Sequence, residues 1–168
     1  MKANDPRITT QHLELTSDNT FIANAGSDFF QNMQPFITGL DAQNKTVIIT
    51  DPFLFPLPQK GGKSLYYQKL EQLLCMLKCN CLIYTAQPQN AAGFTRTKAA
   101  LAANGIQLDN RLFSIPIHDR YWICLENQKG FFTGTSPNGM IYKLSQIGLI
   151  SPVDVSDLLA KFRLEQII

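Results

Sequence analysis

Apolar residues recur with two different spacings along the chain, and these spacings predict strands that alternate with helices. The segment KTVIITDPFLF (residues 45–55) is a nearly continuous β-branched run, which predicts a central strand covered on both faces and ended by Asp51 and Pro52. The segment CLIYTA (81–86) predicts a second buried strand. Between them, SLYYQKLEQLLCMLK has one apolar stripe at helical spacing, which predicts a helix capped by Ser64. We therefore expect a strand, a crossover helix and a second strand.

Three further elements flank this unit. The alternation in QHLELT (residues 11–16) predicts a half-buried strand. In SDFFQNMQPFITGL, helical spacing predicts a helix with Ser27 as its N-cap, bent or split at Pro35. The segment GFTRTKAALAANG predicts a second crossover helix that ends at Gly105.

The last third of the chain is strand-rich and closes with a helix. Strands are predicted in residues 106–108, 112–117, 120–126, 130–134 and 140–150, and a helix in residues 154–168. Alternating strands and helices followed by hairpins imply an α/β fold. We expect one domain, residues 1–168, folded as a three-layer α/β/α sandwich with a mixed, largely parallel sheet.

Composition narrows the class of protein. Apolar residues make up 45% of the chain and charged residues 17%, which is a globular balance. No apolar run approaches the ~20 residues of a membrane helix, and the N-terminus lacks the apolar stretch of a secretory signal. We expect a cytoplasmic protein without a transmembrane segment. A net charge of +2 does not by itself indicate a polyanion partner, but it leaves room for a local basic site.

Two other patterns indicate structure more than chemistry. The cysteines lack a CxxC pair and a histidine at zinc-finger spacing, and they fall in apolar elements: Cys75, Cys79, Cys81 and Cys124. We interpret them as buried structural thiols and expect neither a metal nor a cofactor. The stretch Gly62-Lys63-Ser64 is typical of the end of a phosphate-binding loop, but the motif's first glycine falls at Leu57. The simpler interpretation is a loop ahead of a helix, whose N-terminus could hold one phosphate weakly.

A candidate phosphate site lies in IHDRYWICLENQKGFFTGTSPNG. Strand alternation places His118 and Arg120 on one face at the start of a strand. An imidazole that titrates near neutrality and a guanidinium that grips oxygens with two hydrogen bonds suit a phosphodiester. Ser136 and Asn138, again two apart, return along the hairpin and could stabilise negative charge. The alternative is a surface hairpin in which these residues only end a strand and form a turn.

His118-x-Arg120, the aromatic strand and Gly134-x-Ser136-x-Asn138 resemble the HxK and GSxN signature of the phospholipase D superfamily. The segment VIITDPFL is similar to the strand that often opens the core of these domains. The resemblance implies a phospholipase D-like fold and metal-independent phosphodiester chemistry through a phosphohistidine. It implies that His118 is the nucleophile or the acid, that Arg120 stands at the lysine position and that Ser136 and Asn138 flank the phosphate.

Three departures weaken the enzyme interpretation. Arg120 replaces lysine, the family's aspartate position falls at Leu125 with Glu126 one place late, and only one copy of the motif is present although the chemistry needs two histidines. A homodimer could supply the second His118 across a twofold axis. We therefore expect a degenerate module that binds a phosphate-bearing ligand, a nucleic acid or a lipid headgroup, or a partner protein. The alternatives are an active homodimeric phosphodiesterase and an interaction domain of a larger assembly.

Overall fold

A computed structural model describes residues 28–57, 64–114, 117–140, 143 and 145–168, together with the backbone of residues 20–23. The strand predicted at residues 11–16 lies outside the described residues, as do Ser27 and the glycine and lysine of the phosphate-loop-like stretch.

Within the described residues, seven strands form one sheet, and five helices accompany it. The strands are β1 (Thr20–Ala23), β2 (Thr46–Thr50), β3 (Cys81–Tyr84), β4 (Gln107–Asn110), β5 (Arg120–Cys124), β6 (Lys129–Thr133) and β7 (Ser145–Leu149). The helices are α1 (Phe29–Gly39), α2 (Ser64–Cys75), α3 (Ala91–Ala102), α4 (Pro137–Met140) and α5 (Pro152–Leu164). The strand order across the sheet is β1-β7-β6-β5-β2-β3-β4.

The sheet is mixed, as predicted, but it is not largely parallel. Strands β2, β3 and β4 pair in parallel, because crossover helices α2 and α3 connect them. The pairs β2–β5, β5–β6, β6–β7 and β7–β1 are all antiparallel. The prediction was wrong on this point because β5, β6 and β7 run antiparallel to one another, and β5 and β7 also pair antiparallel with β2 and β1, which come much earlier in the chain.

Helices cover both faces of the sheet, so the predicted three-layer α/β/α arrangement is confirmed. On one face, Val47 and Ile49 of β2 belong to the larger core cluster, which contains residues of α1, α2 and α3. On the other face, Ile48 packs in a smaller cluster with Leu159 and Phe162 of α5. Adjacent residues of β2 therefore point to opposite cores. Both β2 and β3 are central and buried, as their apolar runs predicted.

The strand predicted at residues 112–117 is wrong where the structure describes it. Residues 111–114 and 117 lie outside any strand. The chain must leave the edge strand β4 and pass β3 and β2 before it enters the sheet again as β5, so this segment cannot pair. It is tied instead to the chain after α5: Arg111 Nη1 donates to the Ile167 carbonyl at 2.8 Å, and the Ser114 amide donates to Glu165 at 3.1 Å.

Helix α1 begins one residue later than predicted. Asp28 is its N-cap and accepts from the Phe30 amide at 3.1 Å. Pro35 lies inside α1 without splitting it. Helix α3 ends as predicted, because Gly105 has a positive φ of 75° and the Ile106 amide donates back to the Leu101 carbonyl.

The thiols follow the predicted structural role only in part. Cys79 and Cys124 are buried, whereas Cys75 and Cys81 are half-buried. Burial raises the pKa of the Cys79 thiol to about 12, so this thiol stays protonated at neutral pH.

None of the helices that the structure describes has the length and apolar character needed to cross a membrane.

Candidate phosphate site at the strand ends

Three strands meet at one edge of the sheet and bring polar residues together. Because β2 and β5 are antiparallel, the end of β2 lies beside the start of β5, and Thr50 pairs with Tyr121. Strand β6 returns to the same edge, where Thr133 lies opposite Arg120. Asp51 directly follows β2 at this edge. We call Asp51, Arg120 and Thr133 the strand-end site.

The guanidinium of Arg120 is held on three sides. Its Nε lies 3.7 Å from Asp51 Oδ1, and its Nη1 donates to the Gly134 carbonyl at 3.1 Å. Its central carbon lies 5.6 Å from the centre of the Phe53 ring, a cation–π contact. Nη2 has no hydrogen-bond partner among the residues that the structure describes. The side chain is therefore fixed in place with one terminal nitrogen left for a ligand.

Asp51 is fully buried, and its carboxyl group is only half satisfied. Oδ1 accepts from the Phe53 amide at 2.9 Å, and the Asp51 backbone carbonyl accepts from the Tyr84 hydroxyl at 2.9 Å. Burial raises the pKa of Asp51 to about 7, although the Phe53 hydrogen bond and the charge of Arg120 both lower it. Desolvation outweighs the ion pair, so this carboxyl group changes charge near neutrality.

Buried polar atoms without hydrogen bonds are concentrated at this edge. Of the seven such side-chain atoms in the described residues, three belong to the strand-end site: Asp51 Oδ2, Arg120 Nε and Thr133 Oγ1. A fourth, Thr135 Oγ1, lies two residues after Thr133. Buried polar atoms are normally paired, and unpaired ones are costly to bury. Their clustering shows that the burial of polar atoms at this end of the sheet is not compensated by hydrogen bonds.

The other sequence-predicted residues lie on neighbouring elements. His118 is exposed two residues before β5 and has no hydrogen bond or ion pair within the described part of the chain. Ser136 is buried, and its carbonyl accepts from the Gly139 and Met140 amides where α4 begins. Asn138 is half-buried in α4. Joint contact of these side chains with one phosphate stays a prediction.

The carboxylate position of the phospholipase D pattern has no equivalent here. Leu125 packs against the core on the α5 side. Glu126 accepts from the Thr46 amide with both carboxylate oxygens at 2.9 Å, which places it at the opposite end of β2 from Asp51. Neither residue lies at the edge where β5 starts.

Asp51 is the site residue that the sequence reasoning missed, since it was interpreted only as the end of a strand. An acidic residue directly after a buried apolar run was the available signal. That signal was not enough to predict a site. Asp51 becomes part of one only through its neighbour Arg120, and the proximity of the two residues depends on the pairing of β2 with β5.

A cavity of about 560 Å³ opens beside the site on the α5 face. Its lining includes Arg120 and Thr133, the acidic residues Asp119, Asp154 and Asp157, and Lys161. Asp51 and Phe53, which hold the Arg120 guanidinium, do not line it, because alternation along β5 puts Tyr121 on the α5 face and Arg120 on the other face. Its acidic wall disfavours ligands that carry several negative charges away from Arg120.

Comparison with known proteins gives structural matches only. No family model and no curated protein matches the sequence. The chain is similar to polyphosphate kinase from Porphyromonas gingivalis, with 10% identity and a TM-score of 0.52, over 89% of this chain and 26% of that one. Other matches are Nuc, a phospholipase D family member from Salmonella typhimurium (12% identity, TM-score 0.48, 77% and 83% covered), and the archaeal chromatin protein TrmBL2 (12%, 0.44, 90% and 53%).

These matches bear on the fold and not on the activity. This chain shares its α/β fold with a segment of polyphosphate kinase, and it spans about a quarter of that protein's length. The predicted fold class is confirmed.

Proposed function

We propose that this chain is a phospholipase D-like module that binds the phosphate group of a nucleic acid or a lipid headgroup without hydrolysing it. Arg120 supplies the positive charge, His118 lies beside it, and Ser136 and Asn138 contribute a hydroxyl and an amide. One observation carries the proposal: the guanidinium of Arg120 is fixed by the Gly134 carbonyl and the Phe53 ring, with Nη2 unpaired among the described residues. A fixed guanidinium loses little conformational entropy when it binds an oxyanion.

The residues around His118 favour binding over catalysis. A nucleophilic or acidic histidine depends on groups that position it and tune its charge. The position where the family has aspartate is Leu125, which packs in a core, and Glu126 is committed to the Thr46 amide. A homodimeric phosphodiesterase that pairs two copies of His118 is the alternative, and a partner protein could occupy the same surface.

Binding can be tested by NMR titration of the labelled protein with a short single-stranded oligodeoxynucleotide and with a soluble short-chain phosphatidylglycerol. We expect one of them to shift the amide signals of Arg120, Gly134 and Asn138. The ligand that binds identifies the source of the phosphate. Arg120→Gln should weaken this binding roughly tenfold or more, because it removes a charge-assisted hydrogen bond.

A matched control is Lys129→Gln, which removes an exposed charge at the far end of β6 and should leave the affinity unchanged. Equal affinities of wild type and Arg120→Gln would contradict the proposal. The same preparations can be incubated with a chromogenic phosphodiester without metal, where we expect no turnover. Turnover that disappears in His118→Ala, together with a dimer in solution, would establish the enzyme instead.

A further inference from the structure

The ion pair between the fully buried Asp51 and the half-buried Arg120 is long and incomplete. Its shortest nitrogen–oxygen distance is 3.7 Å, whereas a charge-assisted hydrogen bond between such groups is usually about 2.7–2.9 Å. Asp51 Oδ2 and Arg120 Nε both lack hydrogen bonds. Such a pair does not recover the free energy of taking the Asp51 carboxylate and the Nε of Arg120 out of water. A geometry of this kind is easily changed by a proton or a ligand.

The groups that face Asp51 come from three elements. Arg120 faces it from β5, Tyr84 from β3 and Tyr66 from α2. The Tyr84 hydroxyl donates to the backbone carbonyl of Asp51, and the Tyr66 hydroxyl donates to the Leu54 carbonyl, so neither bonds to the carboxylate. Burial raises the pKa of both phenols, which stay neutral. Within the described residues, Arg120 is therefore the charged group that acts on Asp51.

We propose that Asp51 is a positioning residue that sets the charge with which Arg120 meets a phosphate, so that phosphate binding takes up a proton. This inference rests on the proposed function. When Asp51 is ionised, the pair is neutral overall and attracts an anion weakly. When Asp51 is protonated, the guanidinium keeps its full positive charge. An anion held at Nη2 favours the protonated carboxyl group, and by linkage the protonated carboxyl group favours the anion.

The direction of the effect follows from the chemistry of Asp51. Its pKa of about 7 in the free protein places the change of charge in the neutral range. Phosphate affinity is highest below that value and falls as the pH rises through it. Asparagine has the shape of the protonated acid but cannot ionise, so Asp51→Asn should hold the high affinity at all pH values.

The test uses a dinucleoside monophosphate, whose single phosphodiester keeps one negative charge across the range of interest. All proteins carry His118→Gln, which removes the imidazole of the candidate site. We expect the affinity of this reference protein to fall about fivefold or more between about pH 6 and about pH 8, since one linked proton changes affinity by at most tenfold per pH unit. With Asp51→Asn added, the affinity should change less than twofold.

A second measurement does not depend on the folding of an Asp51 variant. Calorimetric titration of the reference protein near neutral pH, in buffers of different ionisation enthalpy, should show net proton uptake on binding. Zero uptake, or an Asp51→Asn protein with the reference pH dependence, would overturn the inference. If Arg120→Gln still weakens binding roughly tenfold or more in those cases, the proposed function stands alone. Absence of probe binding to the wild-type protein and to every variant at every pH would reject both.

Discussion

The two ends of strand β2 are closed by acidic side chains in opposite ways. At its start, the exposed Glu126 accepts from the Thr46 amide with both carboxylate oxygens at 2.9 Å. At its end, the fully buried Asp51 has one oxygen without a hydrogen bond and a guanidinium 3.7 Å away. The first carboxylate remains in contact with water, whereas the second has lost water without full replacement.

Glu126 makes a contact that stabilises the fold, whereas the burial of polar atoms of Asp51 and Arg120 lowers the stability of the fold. Buried charge is unfavourable unless it is paired and hydrogen-bonded. Glu126 satisfies the backbone at the beginning of β2 at little desolvation cost. Asp51 and Arg120 keep unfavourable polar groups in the interior, which is expected where binding rather than stability determines the residues.

The largest effect on stability is expected from Arg120→Leu. This change leaves the ionised carboxyl group of Asp51 buried without its charged neighbour, so the free energy of unfolding should fall by about 3 kcal/mol at about pH 8. At about pH 5, where Asp51 is protonated, the loss should be much smaller. Urea unfolding at the two pH values measures both.

The control for this comparison is Arg96→Leu. Its ion pair with Glu71 is shorter, 2.9 Å, but the Arg96 side chain is 46% exposed. Loss of that pair should lower the free energy of unfolding by less than about 1 kcal/mol. If Arg120→Leu destabilises the protein equally at both pH values, the charge of Asp51 does not contribute to its stability.

A smaller effect of opposite sign is expected from Asp51→Asn. Folding raises the pKa of Asp51 from 3.8 to about 7. Stability that is fully present below about pH 4 is therefore lost as the pH rises through about 7, because the unfolded chain releases its proton first; the shift corresponds to roughly 4 kcal/mol. Asparagine avoids this loss, but it buries an amide nitrogen without a partner.

We expect Asp51→Asn to be about 2 kcal/mol more stable than wild type at about pH 8 and no more stable at about pH 4. Thermal unfolding across this range measures the difference. A constant difference between the two proteins at all pH values would show that the carboxyl group does not change its ionisation on folding.

The smallest effect is expected at the other end of β2. Glu126→Ala removes the acceptor of the Thr46 amide at an exposed position, so the free energy of unfolding should fall by about 1 kcal/mol or less. Urea unfolding measures this loss. A loss as large as that of Arg120→Leu would remove the contrast between the two ends.

Local signals in the sequence predicted most of the fold. The buried runs of β2 and β3 and the apolar stripe of α2 each lie within one element, so they could be interpreted without knowledge of the neighbours. The antiparallel pairing of β2 with β5 and the unpaired segment after β4 depend on strand order. Strand order is decided by contacts between distant segments, which no local pattern records.

The residues of the candidate site also differ in how far the sequence could predict them. The spacing of His118, Arg120, Ser136 and Asn138 was visible because these residues flank one hairpin. The contribution of Asp51 was not, because its role depends on burial and on a partner from a distant strand.

The pairing of β2 with β5 also determines when the site can form. Thr50 Oγ1 joins the two strands by accepting from the Tyr121 amide at 2.8 Å, across a separation of 71 residues. Strands β2, β3 and β4 are joined by nearer connections and can assemble first, whereas closing the longer loop to β5 has a larger entropic barrier. Asp51 meets Arg120 only after that closure. A ligand at the strand ends therefore binds chains in which the two parts of the sheet have joined, and it protects the Tyr121 amide from hydrogen exchange.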